Sequence, residues 1–376
     1  MLTPMITKTH VALTLLLASI SIPNLCYAEP LTLKTDSFKL RPQLWLSGDY
    51  DDNVFYESEQ EPTGNLPNFG AVLKVGGGLK LQNRDRSGVA FNLDASSAYR
   101  HYVYLGDENG RAESELETLR QGRNGIDFAR LNGQLILGNQ SDVQLILNDR
   151  FNYIERPAFE GTTFGFERVD NILGTAVDFS PGRRNGGGPL GLKLGYELRS
   201  IFFLNEGDGL LIQQRSEKNA HTFSLASRWR FLPKNFLTFD VSYTSNNYND
   251  LAGGEGDEDP ELLSRDSTPL RMELGLSGLI TTRFSVYLKG GYSNTYNRNG
   301  SSYEGFIGLF QFSYIYTPVT EVSIGYQRDG QDSGFSNFYT LDRIYAKSSF
   351  NLSNRLTLNA NISYDIYEYN AANAID

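Results

Sequence analysis

From about Leu40 onward the chain repeats one pattern: roughly ten residues of alternating apolar and polar side chains, then a turn. In the last such run Leu356, Leu358, Ala360, Ile362, Tyr364 and Ile366 fall on one parity, and Arg355, Thr357, Asn359, Asn361, Ser363 and Asp365 on the other. Successive side chains of a strand point to opposite faces, so each run makes a strand with one apolar and one polar face. About fifteen such runs in series predict an all-β fold, a transmembrane antiparallel up-and-down β-barrel of about 16 strands (16–18).

Composition agrees with strands that are apolar on one side only. Hydrophobic residues make up 40% of the chain, yet it holds 22 Tyr, 23 Phe and 37 Gly in 376 residues. No later stretch approaches the length of uninterrupted apolar sequence that a membrane-crossing helix needs. A soluble β-sandwich fits poorly, because the polar parity is too consistently small or charged to form its core.

The first residues read as an export signal: Lys8 supplies a positive charge, Val11 to Ile22 the apolar stretch, and Cys26-Tyr27-Ala28 a small-residue cleavage site. Cleavage is expected after Ala28. Cys26 also raises the alternative of lipidation, but Pro23-Asn24-Leu25 lacks the small residues such a site uses. Cys26 is the one cysteine, so removal of the leader leaves no disulfide, thiol nucleophile or Cys metal ligand. The expected organisation is a signal peptide (1–28), a periplasmic N-terminal segment (29–39) and an outer-membrane β-barrel (40–376).

Strands are predicted over approximately 40–50, 68–82, 88–104, 125–137, 141–155, 167–180, 190–204, 218–232, 235–248, 268–280, 283–296, 303–316, 319–329, 338–352 and 355–369. Connections alternate between tight ones, such as Pro233-Lys234 and Ser353-Asn354, and longer polar segments, such as 105–124 and 249–267. Short periplasmic turns and long external loops are the barrel pattern. An odd strand count leaves the two ends on opposite sides of the membrane, whereas single-chain bacterial barrels have even counts. The closing C-terminal strand is therefore expected to be missing, because the sequence is a fragment or the count is short by one, and Glu29 to Lys39 is the other candidate for an extra strand.

Parity assigns faces. In the run from Leu270 to Ile280, Met272, Leu274 and Leu276 take the lipid side, so Arg271 and Glu273 face inward. The same logic turns Lys74, Lys80, Arg100, Arg130, Arg150, Lys193, Arg199, Arg228, Arg230, Arg283, Lys289, Arg343, Lys347 and Arg355 toward the lumen. Arg or Lys at mid-membrane on the lipid face costs about 2 to 4 kcal/mol, which supports that direction. The inward acids on this reading are Asp94, Glu197, Asp240, Glu273, Glu321, Asp329 and Asp365, so basic groups outnumber them although the whole chain carries −10. The negative charge then sits in loops, above all Glu255, Asp257, Glu258, Asp259 and Glu261, and Asp107, Glu108, Glu113, Glu115 and Glu117. Two readings stand: a basic channel favouring anionic solutes, with acidic loops near lipopolysaccharide, or Arg and Lys simply paired with acids. Ala112 to Gln121, rich in Glu, Leu and Arg, could form a short helix, either on the surface or folded into the barrel to narrow it. Aromatic residues near strand ends suit interfacial girdles, while Trp45 and Tyr287 fall on the inward parity as candidate sugar platforms.

Other chemistry has little support. His101 and His221 are the only histidines after the leader, and His221 shares its parity with Phe223 and Trp229 on the lipid side. No Ser-His pairing motif, phosphate loop, zinc ligand set or basic nucleic-acid face is present in the sequence. No enzyme activity, cofactor, metal or nucleic-acid partner is expected. Outer-membrane lipid and lipopolysaccharide are the expected surroundings.

Leu44 to Phe55 read Leu-Trp-Leu-Ser-Gly-Asp-Tyr-Asp-Asp-Asn-Val-Phe. This resembles the start of the β-barrel porin 2 family, with Tyr50, Asp51, Asp52 and Asn53 on its motif. Ser97 to Tyr102 is similar to the ending of that family's third strand. The resemblance implies an outer-membrane barrel associated with exopolysaccharide export, working beside periplasmic polysaccharide-export proteins. The alternative function is a plugged structural or ligand-binding barrel that acts through its external loops.

Overall fold

The computed structural model describes residues 10–12, 33–34, 38–51, 70–83, 88–104, 124–155, 167–183, 188–204, 217–248, 266–317, 320–332, 338–353 and 356–369. Two short strands, β1 (His10–Ala12) and β2 (Leu33–Lys34), precede fifteen long ones. These are β3 (Phe38–Asp51), β4 (Gly70–Asn83), β5 (Val89–Tyr104), β6 (Gly125–Leu137), β7 (Val143–Glu155), β8 (Glu167–Phe179), β9 (Leu190–Phe203), β10 (Lys218–Leu232), β11 (Asn235–Tyr248), β12 (Leu270–Leu279), β13 (Phe284–Asn294), β14 (Glu304–Thr317), β15 (Thr320–Asp332), β16 (Phe338–Ser353) and β17 (Leu356–Tyr369). No helix occurs among the described residues.

Each strand from β3 to β17 pairs antiparallel with the next in sequence, so the architecture is an up-and-down meander in one sheet. Strands alternate in direction, and β3 and β17 therefore run the same way. Among the described residues these two share no register. β2 lies between them in strand order, pairing antiparallel with β3 through Leu33 and Leu40. β1, inside the segment read as a leader, pairs with β17 through Val11 and Ile366. An up-and-down closure needs one strand running against both β3 and β17, and β2 has that direction. The sheet thus has the form of a barrel without a full closing strand.

The turns explain how the strands stay in register. Leu232 and Asn235 pair across the two residues Pro233-Lys234. Between β6 and β7, Gly138 adopts φ 73° and its carbonyl accepts a 2.7 Å bond from the Ser141 amide. A Cβ at Gly138 would lie 2.7 Å from the Val143 carbonyl, so glycine is required there.

Among the described side chains, exposure of the large apolar ones follows parity. Leu73, Val75 and Leu79 of β4, Leu190, Leu192 and Leu194 of β9, Met272 and Leu274 of β12, and Ile344 of β16 are all exposed. The opposite rows hold the buried residues: Ala98, Arg100, Ile146, Asp170, Ile201, Ile307, Ser313, Asp329, Tyr345 and Asp365. With no helix or second sheet among the described residues to cover that face, it is buried because the sheet curves onto itself. Chords across the curve show this. Arg271 of β12 meets Asp329 of β15, and the Tyr345 hydroxyl on β16 donates to Gln311 on β14, at 2.9 Å in each case. A soluble protein buries its large apolar side chains, whereas here they coat the convex surface and the charges line the concave one.

Several earlier expectations fall outside the described residues: cleavage at Ala28, the acidic segments of residues 105–123 and 249–265, the helix over Ala112 to Gln121, and Arg355. Arg283 lies in the turn between β12 and β13 rather than on a strand, with its amide donating to the Thr281 hydroxyl at 3.2 Å.

Candidate functional site

The concave wall is organised in rows that run across strands. Trp45 of β3 lies opposite Gly76 of β4, which lies opposite Ala98 of β5, which lies opposite Phe128 of β6. The two central positions are the smallest residues available, and the indole fills the space that a Cβ on Gly76 would occupy. Trp45 and Phe128 meet over this trough, with ring centroids 5.6 Å apart and planes 4° from parallel. The Arg130 guanidinium sits 4.3 Å from the centre of the Phe128 ring. Such a cation above an aromatic face is attractive.

A β-bulge sets the chemistry beside this row. Ala98 pairs with Phe128 but Tyr99 with Ile126, so Asp127 is an extra residue on β6. The bulge restores Ile126 to the outward row and lets Asp127 and Phe128 both serve the inner wall. Asp127 accepts a 2.9 Å bond from buried Arg100 and lies 3.5 Å from Lys74. Simple alternation from Leu131 cannot place Asp127 inward, which is why strand parity alone misses it.

A second cluster spans β11 to β15. Lys289 lies 2.9 Å from Glu273 and 3.1 Å from Asp240, and Arg271 lies 3.1 Å from Glu273 and 2.9 Å from Asp329. Ile307, 0% exposed, lies opposite Gly291 of β13 on the same inner wall. A third polar chain runs from the Tyr345 hydroxyl through Gln311, Ser313 and Ser323 to Glu321. These links join the wall from β11 to β16 through side chains as well as backbone.

The other inward candidates divide into two groups. Lys80 pairs with Asp94 at 3.9 Å, Arg150 with Glu197 at 3.0 Å, Arg199 with Asp170 at 2.5 Å, and Arg343 with Asp365 through two bonds of 2.8 and 2.6 Å. The second group meets rings or open surface: Arg228 lies 5.2 Å from the centre of the Phe236 ring and Lys347 4.6 Å from that of Tyr345. Lys193 is exposed and stands opposite Asp178 and Ala226. Arg230 stands outside this grouping: it takes the next inward position after Arg228, opposite Phe236, and makes contacts of its own. Lys193, Arg228 and Arg230 all stand near the short-turn ends of β9 and β10.

Among the described residues, three acids join the inner wall beyond those parity gave: Asp127, Asp170 and Asp178. Ile172, Gly174 and Ala176 separate Asp170 from Asp178 on β8, so both faces of that strand look apolar and its polar row is hidden in the sequence. Arg183, in the turn after β8, donates 2.7 Å bonds to both Asp178 and Gln144. Of the motif residues, Tyr50 pairs with Ala71 and Asp51 with Gly70, while Asp52 and Asn53 lie outside the described residues.

The outward face carries polar groups in a few places. His221 accepts or shares a 2.9 Å bond with the Tyr196 hydroxyl, Tyr292 donates to Glu304 at 3.0 Å, and Arg328 and Tyr326 both bond Asp342. In each set a tyrosine has an apolar ring and a wet hydroxyl, the composition of an interfacial girdle. Asp149 also falls on the outward row between Leu147 and Phe151. Nothing in the structure explains its place there.

No protein-family model matches the sequence, and no curated protein matches it either. The similarity to the porin 2 family therefore rests on the short segments quoted above. Among solved structures, the chain is similar to a mutant of the ferric enterobactin receptor (PfeA) from Pseudomonas aeruginosa, at 12% identity and TM-score 0.46, over 88% of this chain and 57% of that one. It is also similar to a loop-deletion mutant of OmpT, an outer membrane protein of Vibrio cholerae, at 7% identity and TM-score 0.36, over 88% and 99% of the two chains. OccAB2 of Acinetobacter baumannii matches at 9% identity and TM-score 0.39, over 90% and 93%. This chain spans less than two thirds of the first receptors' length. Such distant likeness carries no information about cargo.

Proposed function

We propose that the protein is an outer-membrane conduit for anionic solutes, acidic polysaccharide among them. The observation that carries this reading is the reversal of the two faces: large apolar side chains exposed on the convex side, Arg, Lys, Asp and Glu lining the concave side. An outer-membrane location follows from that apolar coat, since strands cross a bilayer only with their apolar row toward lipid. The anion preference is supported by Lys193 and Arg228, which stand near the short-turn ends of β9 and β10. The acids that the bulge and β8 bring inward temper this preference without reversing it.

The purified chain in a planar bilayer under a KCl gradient is expected to conduct, with a reversal potential of the sign that marks chloride as the more permeant ion. Asp127→Asn removes a negative charge beside Lys74 and Arg100, and is expected to move that potential further in the same direction. Potassium preference in the parent protein, or an unchanged potential in Asp127→Asn, would contradict the reading.

A second reading is favoured by the filled wall from β12 to β16, where Ile307, Tyr339, Leu341 and Tyr345 are buried. Under it the interior is closed by side chains and the protein works as a ligand-binding barrel through its external loops. A chain that inserts but never conducts would favour that alternative.

A further inference from the structure

The trough between β3 and β6 has two adjacent inward rows built on one plan. Trp45, Gly76, Ala98 and Phe128 form the first; Gln43, Gly78, Ser96 and Arg130 form the second, two residues nearer the short-turn end. In both rows the flanking strands carry long side chains and the two central strands small ones. The Gln43 amide oxygen lies 3.5 Å from where a Cβ on Gly78 would stand, which puts that amide over the centre of the second row. The result is a flat aromatic surface with an amide, a hydroxyl and a guanidinium beside it.

Packing alone does not account for this arrangement. Tyr345 over Gly325 and Tyr303 over Gly330 also lay rings on glycines, yet both are buried and their hydroxyls bond Gln311 and the Phe306 carbonyl. Trp45 and Phe128 are only half-buried, and Arg130 is exposed. The two rings lie parallel with centroids 5.6 Å apart, and the Arg130 guanidinium lies over the Phe128 ring, so aromatic and cationic groups meet at one place on the wall.

We propose that this surface is a saccharide subsite that holds a pyranose ring of an acidic glycan against Trp45 and Phe128. The axial C–H groups of such a ring pack on aromatic faces. Arg130 would take its carboxylate and Gln43 a ring hydroxyl, because a guanidinium matches a carboxylate with two parallel bonds. This inference rests on the conduit reading, and it names the class of solute that the conduit passes.

The chain has two tryptophans, and Trp229 is on the outward face, so Trp229→Phe leaves Trp45 as the only tryptophan, read by excitation that tyrosine does not absorb. Titrating this full-length variant in detergent with a galacturonate hexamer is expected to give a saturable change in emission. Phe128→Ala is expected to weaken the binding about tenfold, and Arg130→Gln to weaken the acidic hexamer while sparing maltohexaose. The milder Trp45→Phe, read by current blockade, covers the case in which an alanine variant does not fold; it should bind the hexamer more weakly than the parent. No saturable change, or equal affinity for the hexamer in parent, Phe128→Ala and Trp45→Phe, would overturn the subsite. Equal affinity of the parent for the neutral and acidic hexamers would overturn its acidic preference. A conducting channel without binding sinks this inference alone, whereas a non-conducting chain that still binds the hexamer sinks the conduit reading instead.

Discussion

Replacing Arg271 by Ala is expected to lower the unfolding free energy by about 3 kcal/mol, the low end for breaking a buried ion pair. Arg271 is the common partner of Glu273 and Asp329, and the Asp329 side chain is 9% exposed against 34% for Arg271. Glu273 keeps Lys289 when Arg271 is lost, but Asp329 is left on the wall with its charge uncompensated. Most of the cost therefore comes from the orphaned acid. The double variant Arg271→Ala, Asp329→Asn is expected to recover a large part of the loss, because it removes the charge that lost its partner. Urea unfolding in lipid vesicles, followed by tryptophan emission, measures both. A loss below about 1 kcal/mol in the single variant, within the range of surface pairs, would mean that the cluster is solvated and does not brace the wall.

Leu274→Arg is expected to cost about 2 to 4 kcal/mol, the price of a guanidinium at mid-membrane on the lipid face of a barrel. Leu274 is 55% exposed and lies in the middle of the outward row of β12, between Met272 and Leu276. The comparison is Ser277→Arg on the same strand, whose inward position changes selectivity rather than stability. If the two substitutions were equally costly, the two faces of β12 would not differ in solvent. Insertion yield and vesicle unfolding of the two variants check the difference side by side.

The alternation of β12 made its faces readable from Leu270, Met272, Leu274 and Leu276 alone, because a strand's side-chain period is fixed by covalent geometry. Strand positions were legible for the same reason: the two-residue turn at Pro233-Lys234 falls between β10 and β11 as the sequence suggests. What parity could not give was anything that depends on register between strands. The pairing of Trp45 with Gly76, Ala98 and Phe128 joins four segments spread from residue 45 to residue 128, and no single segment specifies it. The bulge at Asp127 breaks the period itself, so an acid was lost from the inner wall and Lys74 and Arg100 looked unmatched. On β8 the period is intact, but Ile172 and Ala176 sit on the polar row and conceal Asp170 and Asp178. Arg183 reaches the wall from a turn, where period has no meaning. The basic excess that the sequence suggested is accordingly smaller in the structure.

The central claim is that the sheet is apolar outward and charged inward, and spin labels walked along β12 test it most directly. In a Cys26→Ser background, a single cysteine is placed at each position from Leu270 to Leu279, labelled, and reconstituted into vesicles. Collisions with oxygen should then peak at positions 272, 274 and 276, and collisions with a water-soluble nickel complex at 271, 273 and 277. A period of two with that phase is the predicted result. The opposite phase, or no period along the strand, would contradict the account.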